Sequence, residues 1–335
     1  MIKILELFGG IGAPRKALIN RGIDHKSIDY VEIMPNRVKA YNALYDHLHK
    51  PQDIRGWNLK PDILVHGSPC QDNSRGNRKR KGAAENSRSQ LLNETVMIIK
   101  EMGDWRPKVV IWENVKGVLD RGVIPVFNSY LHDMTELGYT NSFDVLDARK
   151  FGIPHARERV FCISLLGTQS FNFRKLKQQP LRDIKEFLEY GPDDEIPAEY
   201  LINIPSQLGK IKEFNPIPTG TYKRQLDVID KFCYTITERQ DRCPNAGIIR
   251  LNSPQYRYLT ERECWRLLGF DDNDFDLMLN EFPKKPGLRN ATLYALAGNS
   301  IVVQVLEAIF EVLLDGDTPE EAYWIESSGQ LRLPM

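Results

Sequence analysis

Short apolar runs alternate along the first half of the chain with segments whose apolar positions recur at helical spacing. In order they are IKILELF, then APRKALINRG, SIDYVEI, PNRVKAYNALYDHL, DILVHG, LLNETVMIIKEM and VVIWENV. Runs bounded by Gly or Pro and separated by amphipathic helices predict a parallel α/β sheet covered by helices on both faces. Ligands of such sheets lie beyond the carboxyl ends of the strands. Those ends carry GGIG, Glu32, Asp53, SPCQ and ENV.

After about residue 166 the rhythm changes. FNFRKLKQQPLRDIKEFLEYGPDDEIPAEYLINIPSQLGKIKEFNPIPTG is rich in Pro, Lys and aromatics and has no βαβ alternation. The expected division is 1–166 for a first domain, 167–256 for a second and smaller one, and 257–335 for a return to the first with a polar tail. YLTERECWRLLGF restores helical periodicity, and ATLYALAGNSIVVQVLEAIFEVLL reads as a loop feeding a long apolar helix.

With 335 residues, 41% of them hydrophobic, the chain can bury a large core. No run of about eighteen apolar residues marks a membrane span, and MIKILELFGG reads as a first strand rather than a secretory leader. Five cysteines, at 70, 162, 233, 243 and 264, form no CxxC pair, so a reduced, intracellular protein is expected. Neither cysteines nor histidines have metal-ligand spacing, and no metal is expected. The net charge is zero, yet Arg75, Arg78, Lys79, Arg80, Lys81 and Arg88 crowd residues 71–90 against only Asp72 and Glu85. Such a cluster is commonly a solvated loop, but its place just after Cys70 also suits phosphate contact.

The chemistry starts with ELFGGIGAPRKAL, a strand turning through glycines into a helix. Without GxGxxG spacing it is by itself a weak sign, as easily a tight structural turn. Glu32, ending the next strand, stands where an acid meets ribose hydroxyls in nucleoside-binding α/β folds. An adenosine ligand lacking a pyrophosphate, such as S-adenosylmethionine, fits both features. Glu113 and Asn114 end another buried strand, where a carboxylate is costly unless paired or functional. A thiol at Cys70 and an acid at Glu113, on two strand ends of one sheet, suit nucleophilic attack on a ring whose nitrogen is protonated or hydrogen-bonded. Arg157 and Arg159 alternate in HARER, so on a strand they would face one side, toward a phosphate or a carboxylate such as Glu113. A charged edge strand explains that pair equally well in isolation. Cys162, Cys264, Trp112 and Trp265 sit in apolar contexts and are expected in the core.

Taken in order, ELFGGIG, Glu32, Asp53, GSPCQ, ENV, the RxR of HARER, RECWRLLGF and AGNSI resemble the motif series of the cytosine-C5 DNA methyltransferases of bacterial and phage type. The resemblance runs from residue 2 to about 313, the middle segment excepted, and PCQ, ENV and GNS in this order are highly specific together. It implies the Rossmann-like mixed sheet of S-adenosylmethionine-dependent methyltransferases, with helices on both faces and a small irregular target-recognition domain. It also implies the catalytic set Cys70, Glu113, Arg157 and Arg159. Cys70 would add to C6 of a flipped cytosine, and Glu113 would hold N3 and the exocyclic amine. Phe8, Gly10, Ile11, Gly12 and Ile33 would pack around S-adenosylmethionine, with Glu32 at the ribose and Asp53 and Ile54 at the adenine. Pro69, Leu91, Asn299 and Ser300 would complete that pocket.

Double-stranded DNA is the implied partner, and reaching a base inside it requires flipping. The basic stretch SRGNRKRKG would close over Cys70, bringing Arg75, Arg78, Lys79, Arg80 and Lys81 to phosphates. In the middle segment Lys175, Lys177, Tyr222, Lys223, Arg224, Arg239 and Arg242 are candidates for phosphate or base contact. Three positions depart from the usual pattern: Asn73 where Phe is common, His155 where Gln is usual, and Ser68 in place of Pro. None removes a catalytic group. One branch of the same family modifies tRNA, so RNA stays open as a substrate, as does a catalytically silent DNA-binding relative. A monomer without membrane attachment, located in the cytoplasm, is expected; a separately acting restriction endonuclease is left open.

Overall fold

The computed structural model describes residues 1–55, 59–68, 90–213, 225–252 and 255–314. The first half builds β1 (Ile2–Leu7), α1 (Ala13–Asn20), β2 (His25–Val31), α2 (Pro35–Tyr45), β3 (Ile63–His66), α3 (Gln90–Glu101), β4 (Val109–Val115), α4 (Ile124–Glu136), β5 (Tyr139–Asp147) and β6 (Glu158–Leu166). The remainder adds α5 (Pro205–Leu208), β7 (Ile249–Arg250), β8 (Tyr256–Arg257), α6 (Glu261–Arg266), α7 (Asp272–Glu281), α8 (Ala291–Gly298) and α9 (Val303–Leu314).

Six strands form one sheet in the order β2-β1-β3-β4-β6-β5. β2, β1, β3 and β4 run parallel, while β6 is antiparallel to both of its neighbours. The mixed sheet expected above is thus present. β1 shows why its strands read as continuous apolar runs: Ile4 packs in one core cluster while Leu5 and Leu7 pack in another. Both faces of a central parallel strand are covered, so alternation disappears.

Between residues 167 and 256 the chain forms short 3-10 turns and the small β7–β8 ribbon. Phe171, Phe173, Ile184 and Phe187 join the main core cluster, whereas Ile202, Ile211, Leu226, Ile248 and Tyr256 belong to a small separate one. Cys162, Cys264, Trp112 and Trp265 are buried, as their contexts predicted.

One expectation is corrected here. The stretch ATLYALAG is not a loop but α8, because the Asn290 side chain accepts from the amides of Thr292 and Leu293 and caps its start. The chain then breaks at Asn299–Val302 before α9. Residues 291–314 are apolar and long enough to cross a membrane, but Leu293, Leu296, Val303, Leu306, Ile309 and Phe310 are themselves core residues.

The return of the chain is anchored by a fully buried ion pair. Arg257 donates to both carboxylate oxygens of Glu263 at 2.9 Å and to the carbonyls of Tyr190 and Tyr258. Glu263 also closes a capping box with Thr260 at the start of α6 and accepts the Glu189 amide. Removing one partner strands a buried charge. Glu263→Ala should therefore lower the urea-unfolding free energy by about 3–5 kcal/mol. A loss under about 1 kcal/mol would mean that the guanidinium finds water or another acceptor.

Candidate active site

The carboxyl ends of β1, β2, β3 and β4 and the loop between α8 and α9 enclose a cavity of about 640 Å³. The β1–α1 turn forms one wall. It bends because Phe8, Gly10 and Gly12 take positive φ values of 55°, 57° and 75°, and Gly12 is the residue from which α1 starts. Glu32 follows β2 and is buried. Its carboxylate accepts from the amides of Gly10 (3.3 Å) and Met34 (2.9 Å) and from Arg37 (3.2 Å). The side chains of Ile33 and Met34, also in the lining, are half or more exposed, an apolar edge left uncovered.

Across the cavity, β4 delivers two sets of contacts on opposite faces. Glu113 pairs with Arg159 of β6, whose Nε lies 3.1 Å from the carboxylate. Trp112 and Asn114 turn the other way and donate to the Ser68 hydroxyl, at 3.0 and 3.4 Å. Burial pushes the Glu113 carboxyl above its ordinary range, and the guanidiniums of Arg159 and Arg157 pull it back. Glu113 is thus a buried carboxyl raised above its ordinary range beside a fixed cation.

Arg157 plays a different part from Arg159. It is buried, and its guanidinium donates to the carbonyls of Ile236 (2.9 Å), Gly298 (3.1 Å) and Ser300 (2.8 Å). It fastens two distant segments, at 236 and at 298–300, to its own at the cavity wall. His155, fully buried, extends the same seam: it meets the Leu267 carbonyl at 3.1 Å through Nδ1 and accepts the Ile236 amide at 3.1 Å through Nε2. That pairing makes Nδ1 the donor of a neutral imidazole, and burial keeps its pKa well below the usual value. The departure at His155 therefore acts on the backbone of 236, not by entering the cavity.

The cavity lining brings together Phe8, Gly10, Ile11, Glu32, Ile33, Leu91, Glu113, Arg157, Arg159, Asn299 and Ser300. Gly12, Asp53 and Ile54 stand outside it. Asp53 is instead gripped by Arg55, with Nε at 2.9 Å, which holds its carboxyl down to about 2, and Ile54 packs into the core. Cys70 and Pro69 lie outside the described residues, as do Arg75, Arg78, Lys79, Arg80, Lys81, Tyr222, Lys223 and Arg224. Arg239 and Arg242 are exposed and flank Asp241, at 3.6 and 3.3 Å. Lys177 pairs with Glu311 of α9.

Sequence reasoning missed Arg37 and Glu238. Arg37 bridges Glu32 to Glu238 (3.5 Å), and Glu238 lines both this cavity and an adjoining cleft of about 530 Å³. That cleft includes Lys116, Arg149, Tyr234, Thr235 and Thr237 and shares Val115, Arg159 and Gly298 with the cavity. Nothing near Glu238 in the sequence signalled this. The Gly298 of AGNS did carry a signal: a Cβ there would fall 2.5 Å from the Glu238 amide nitrogen, so only glycine lets the two segments meet.

A family model for the C-5 cytosine-specific DNA methylases matches residues 2–315. The chain belongs to that family. Its reaction is methyl transfer to C5 of cytosine in DNA, and it is similar over nearly its whole length to named enzymes. The type II methyltransferase M2.ScrFI of Lactococcus lactis subsp. cremoris is 27% identical over 93% of this chain and 99% of that protein. The type II methyltransferase M.NgoBI of Neisseria gonorrhoeae is 29% identical over 97% of this chain and 98% of its own length. The crystal structure of S. pombe Dnmt2 methyltransferase shares the fold, with a TM-score of 0.73 at 21% identity, covering 94% of this chain and 99% of that one. Entamoeba histolytica methyltransferase EhMeth does so at 0.71 and 18%, covering 94% and 98%.

Glu6, also in the lining, gives the methyltransferase a pH signature. It is fully buried, accepts the Tyr41 hydroxyl at 2.6 Å, and is pushed by burial from 4.5 up to about 7, against the pull of Tyr41, Arg15 and Ser27. A carboxyl raised in the folded state stabilises the fold below its unfolded pKa, and that stability is lost as pH rises through about 7. The melting temperature of the wild type should therefore fall relative to Glu6→Gln between about pH 5 and pH 8, within a ceiling of about 3 kcal/mol. A constant difference across that range would show that Glu6 does not titrate there.

Proposed function

We propose that the cavity holds S-adenosylmethionine and that Cys70, Glu113 and Arg159 carry out the methylation of a cytosine flipped from double-stranded DNA. The observation that carries this reading is the pairing of β3 with β4. β3 leads within a few residues to Cys70, and its hydrogen-bonded neighbour carries Glu113 two residues before its end, facing Arg159 in the same cavity as Glu32.

The lining suits the cofactor. Glu32 would take the ribose hydroxyls, Ile33 and Met34 would cover the adenine with their uncovered apolar edge, and Phe8, Gly10, Ile11, Leu91, Asn299 and Ser300 would surround the rest. When bound, S-adenosylmethionine supplies an electrophilic methyl group, which the carbon made nucleophilic at C5 accepts. The protein's part begins with the Cys70 thiolate, whose electron pair forms a bond to C6 while the 5,6 π pair shifts toward C5. Glu113, a buried carboxyl raised above its ordinary range, would hydrogen-bond N3 and the exocyclic amine and so favour that shift. Arg159 fixes the carboxyl and adds positive charge to the site, which favours a thiolate over a thiol. Loss of the C5 proton returns an electron pair to the ring, and the C6–S bond breaks to release Cys70. Arg157 would serve as a positioning residue, since its contacts are backbone carbonyls of the cavity wall.

The segment 167–256 would be the target-recognition domain between a catalytic and cofactor-binding part, 1–166, and its return, 257–335. The cleft with Lys116 and Arg149 lies beside Arg159, where phosphates next to a flipped nucleotide would pass. The basic stretch after Cys70, with Arg75, Arg78, Lys79, Arg80 and Lys81, would add phosphate contacts, as would Tyr222, Arg224, Arg239 and Arg242. The enzyme would work as a monomer in the cytoplasm, with any cognate endonuclease acting separately.

Transfer of labelled methyl groups to duplex DNA tests these roles. Cys70→Ser should abolish transfer while leaving S-adenosylmethionine affinity within about twofold. Glu113→Gln should slow transfer by about 10²- to 10⁴-fold, the range of a positioned acid. A Cys70→Ser enzyme of normal rate would overturn the covalent route.

A further inference from the structure

Three tyrosines stand behind the β1–α1 turn and none of them is in the cavity lining. Tyr30 comes from β2, and Tyr41 and Tyr45 from α2. The Tyr30 hydroxyl donates to the Gly10 carbonyl at 2.6 Å, and the Tyr45 hydroxyl donates to the Gly12 carbonyl at 2.7 Å, with that of Ile11 at 3.3 Å. Tyr41 lies between them. Its ring stacks on Tyr30 at 3.7 Å and meets Tyr45 edge-on at 4.7 Å, while its hydroxyl donates to Glu6. The Arg15 guanidinium sits over the Tyr45 ring at 4.9 Å. The fit is close: a Cβ on Gly9 would fall 2.6 Å from the Tyr30 ring, and one on Gly12 would fall 2.5 Å from Tyr45.

A planar trans peptide points its N–H opposite to its carbonyl. Holding the Gly10 and Gly12 carbonyls on the tyrosine side therefore aims the amides of Ile11 and Ala13 the other way, and both of those residues line the cavity. Burial keeps the Tyr30 and Tyr45 phenols protonated, so each remains a donor.

We infer that Tyr30 and Tyr45 are positioning residues for the cofactor, presetting the glycine turn through its carbonyls without touching the ligand. This rests on the reading that S-adenosylmethionine occupies the cavity. Preorganisation of this kind changes binding of the cofactor, not the chemical step. Losing one neutral hydrogen bond from the turn is worth about three- to tenfold in affinity.

The test is calorimetric titration of the purified full-length chain with S-adenosylhomocysteine, together with kcat at saturating S-adenosylmethionine. Tyr30→Phe and Tyr45→Phe should each raise the dissociation constant about three- to tenfold and leave kcat within about twofold of wild type. Tyr139→Phe is the control, because its buried hydroxyl donates to the Pro107 carbonyl at 2.7 Å away from the cavity lining. It should lose stability comparably and bind as wild type does. The inference is overturned if the wild type binds and both turn variants bind equally tightly, or if Tyr139→Phe weakens binding as much as they do. Should Tyr45→Phe fail to give a cooperative urea transition, Tyr30→Phe alone decides. A folded wild type that binds neither nucleoside sinks the cofactor reading, and this inference with it.

Discussion

A single buried guanidinium holds the two ends of the chain around one cavity. Arg157 precedes β6, yet its hydrogen bonds go to Ile236 and to Gly298 and Ser300, residues about 80 and 140 positions further along. Each bond satisfies a carbonyl at a break in regular structure, where an unmet acceptor would cost the fold. Gly298 allows the close approach on which this seam depends, and His155 ties the neighbouring backbone to Leu267. Without that seam, the glycine turn and Glu113 from the first half would not share a cavity with Asn299 and Ser300 from the last.

The sheet order gives the cavity its chemistry. β1 lies between β2 and β3, so the glycine turn sits beside Glu32 on one flank and the strand leading to Cys70 on the other. β4 then adds Glu113 on one face and grips Ser68, just past the end of β3, from the other. Reversing β6 brings Arg159 opposite Val115 in register and within reach of Glu113. In the low dielectric of the cavity wall, this pairing keeps an otherwise costly carboxyl in place.

The parts visible from sequence are those whose cause is local. Buried parallel strands read as unbroken apolar runs, and their polar ends stand out against them, which is why Glu32, Glu113 and the glycine turn were expected where they lie. Arg157 and Arg159 both line the cavity, but the alternation that linked them carries no information about partners, and Arg157 lies just before β6 rather than on it. One side chain meets a carboxylate and the other meets carbonyls from distant segments. The pairing of Asp53 with Arg55 two residues on is likewise a side-chain detail that its place after β2 does not reveal. α8 read as a loop because AGNS dominates the stretch, while the cap that starts the helix is a lone Asn290. Arg37 and Glu238 were invisible because their meeting depends on how residues 201 positions apart are brought together.

The most direct test is bisulfite sequencing of genomic DNA from a bacterial host lacking cytosine methylation and expressing this chain. A short motif carrying 5-methylcytosine at one fixed position, and unmethylated cytosine elsewhere, is the predicted result. No methylcytosine above background, from protein that is folded and binds S-adenosylmethionine, would contradict the account and turn attention to RNA.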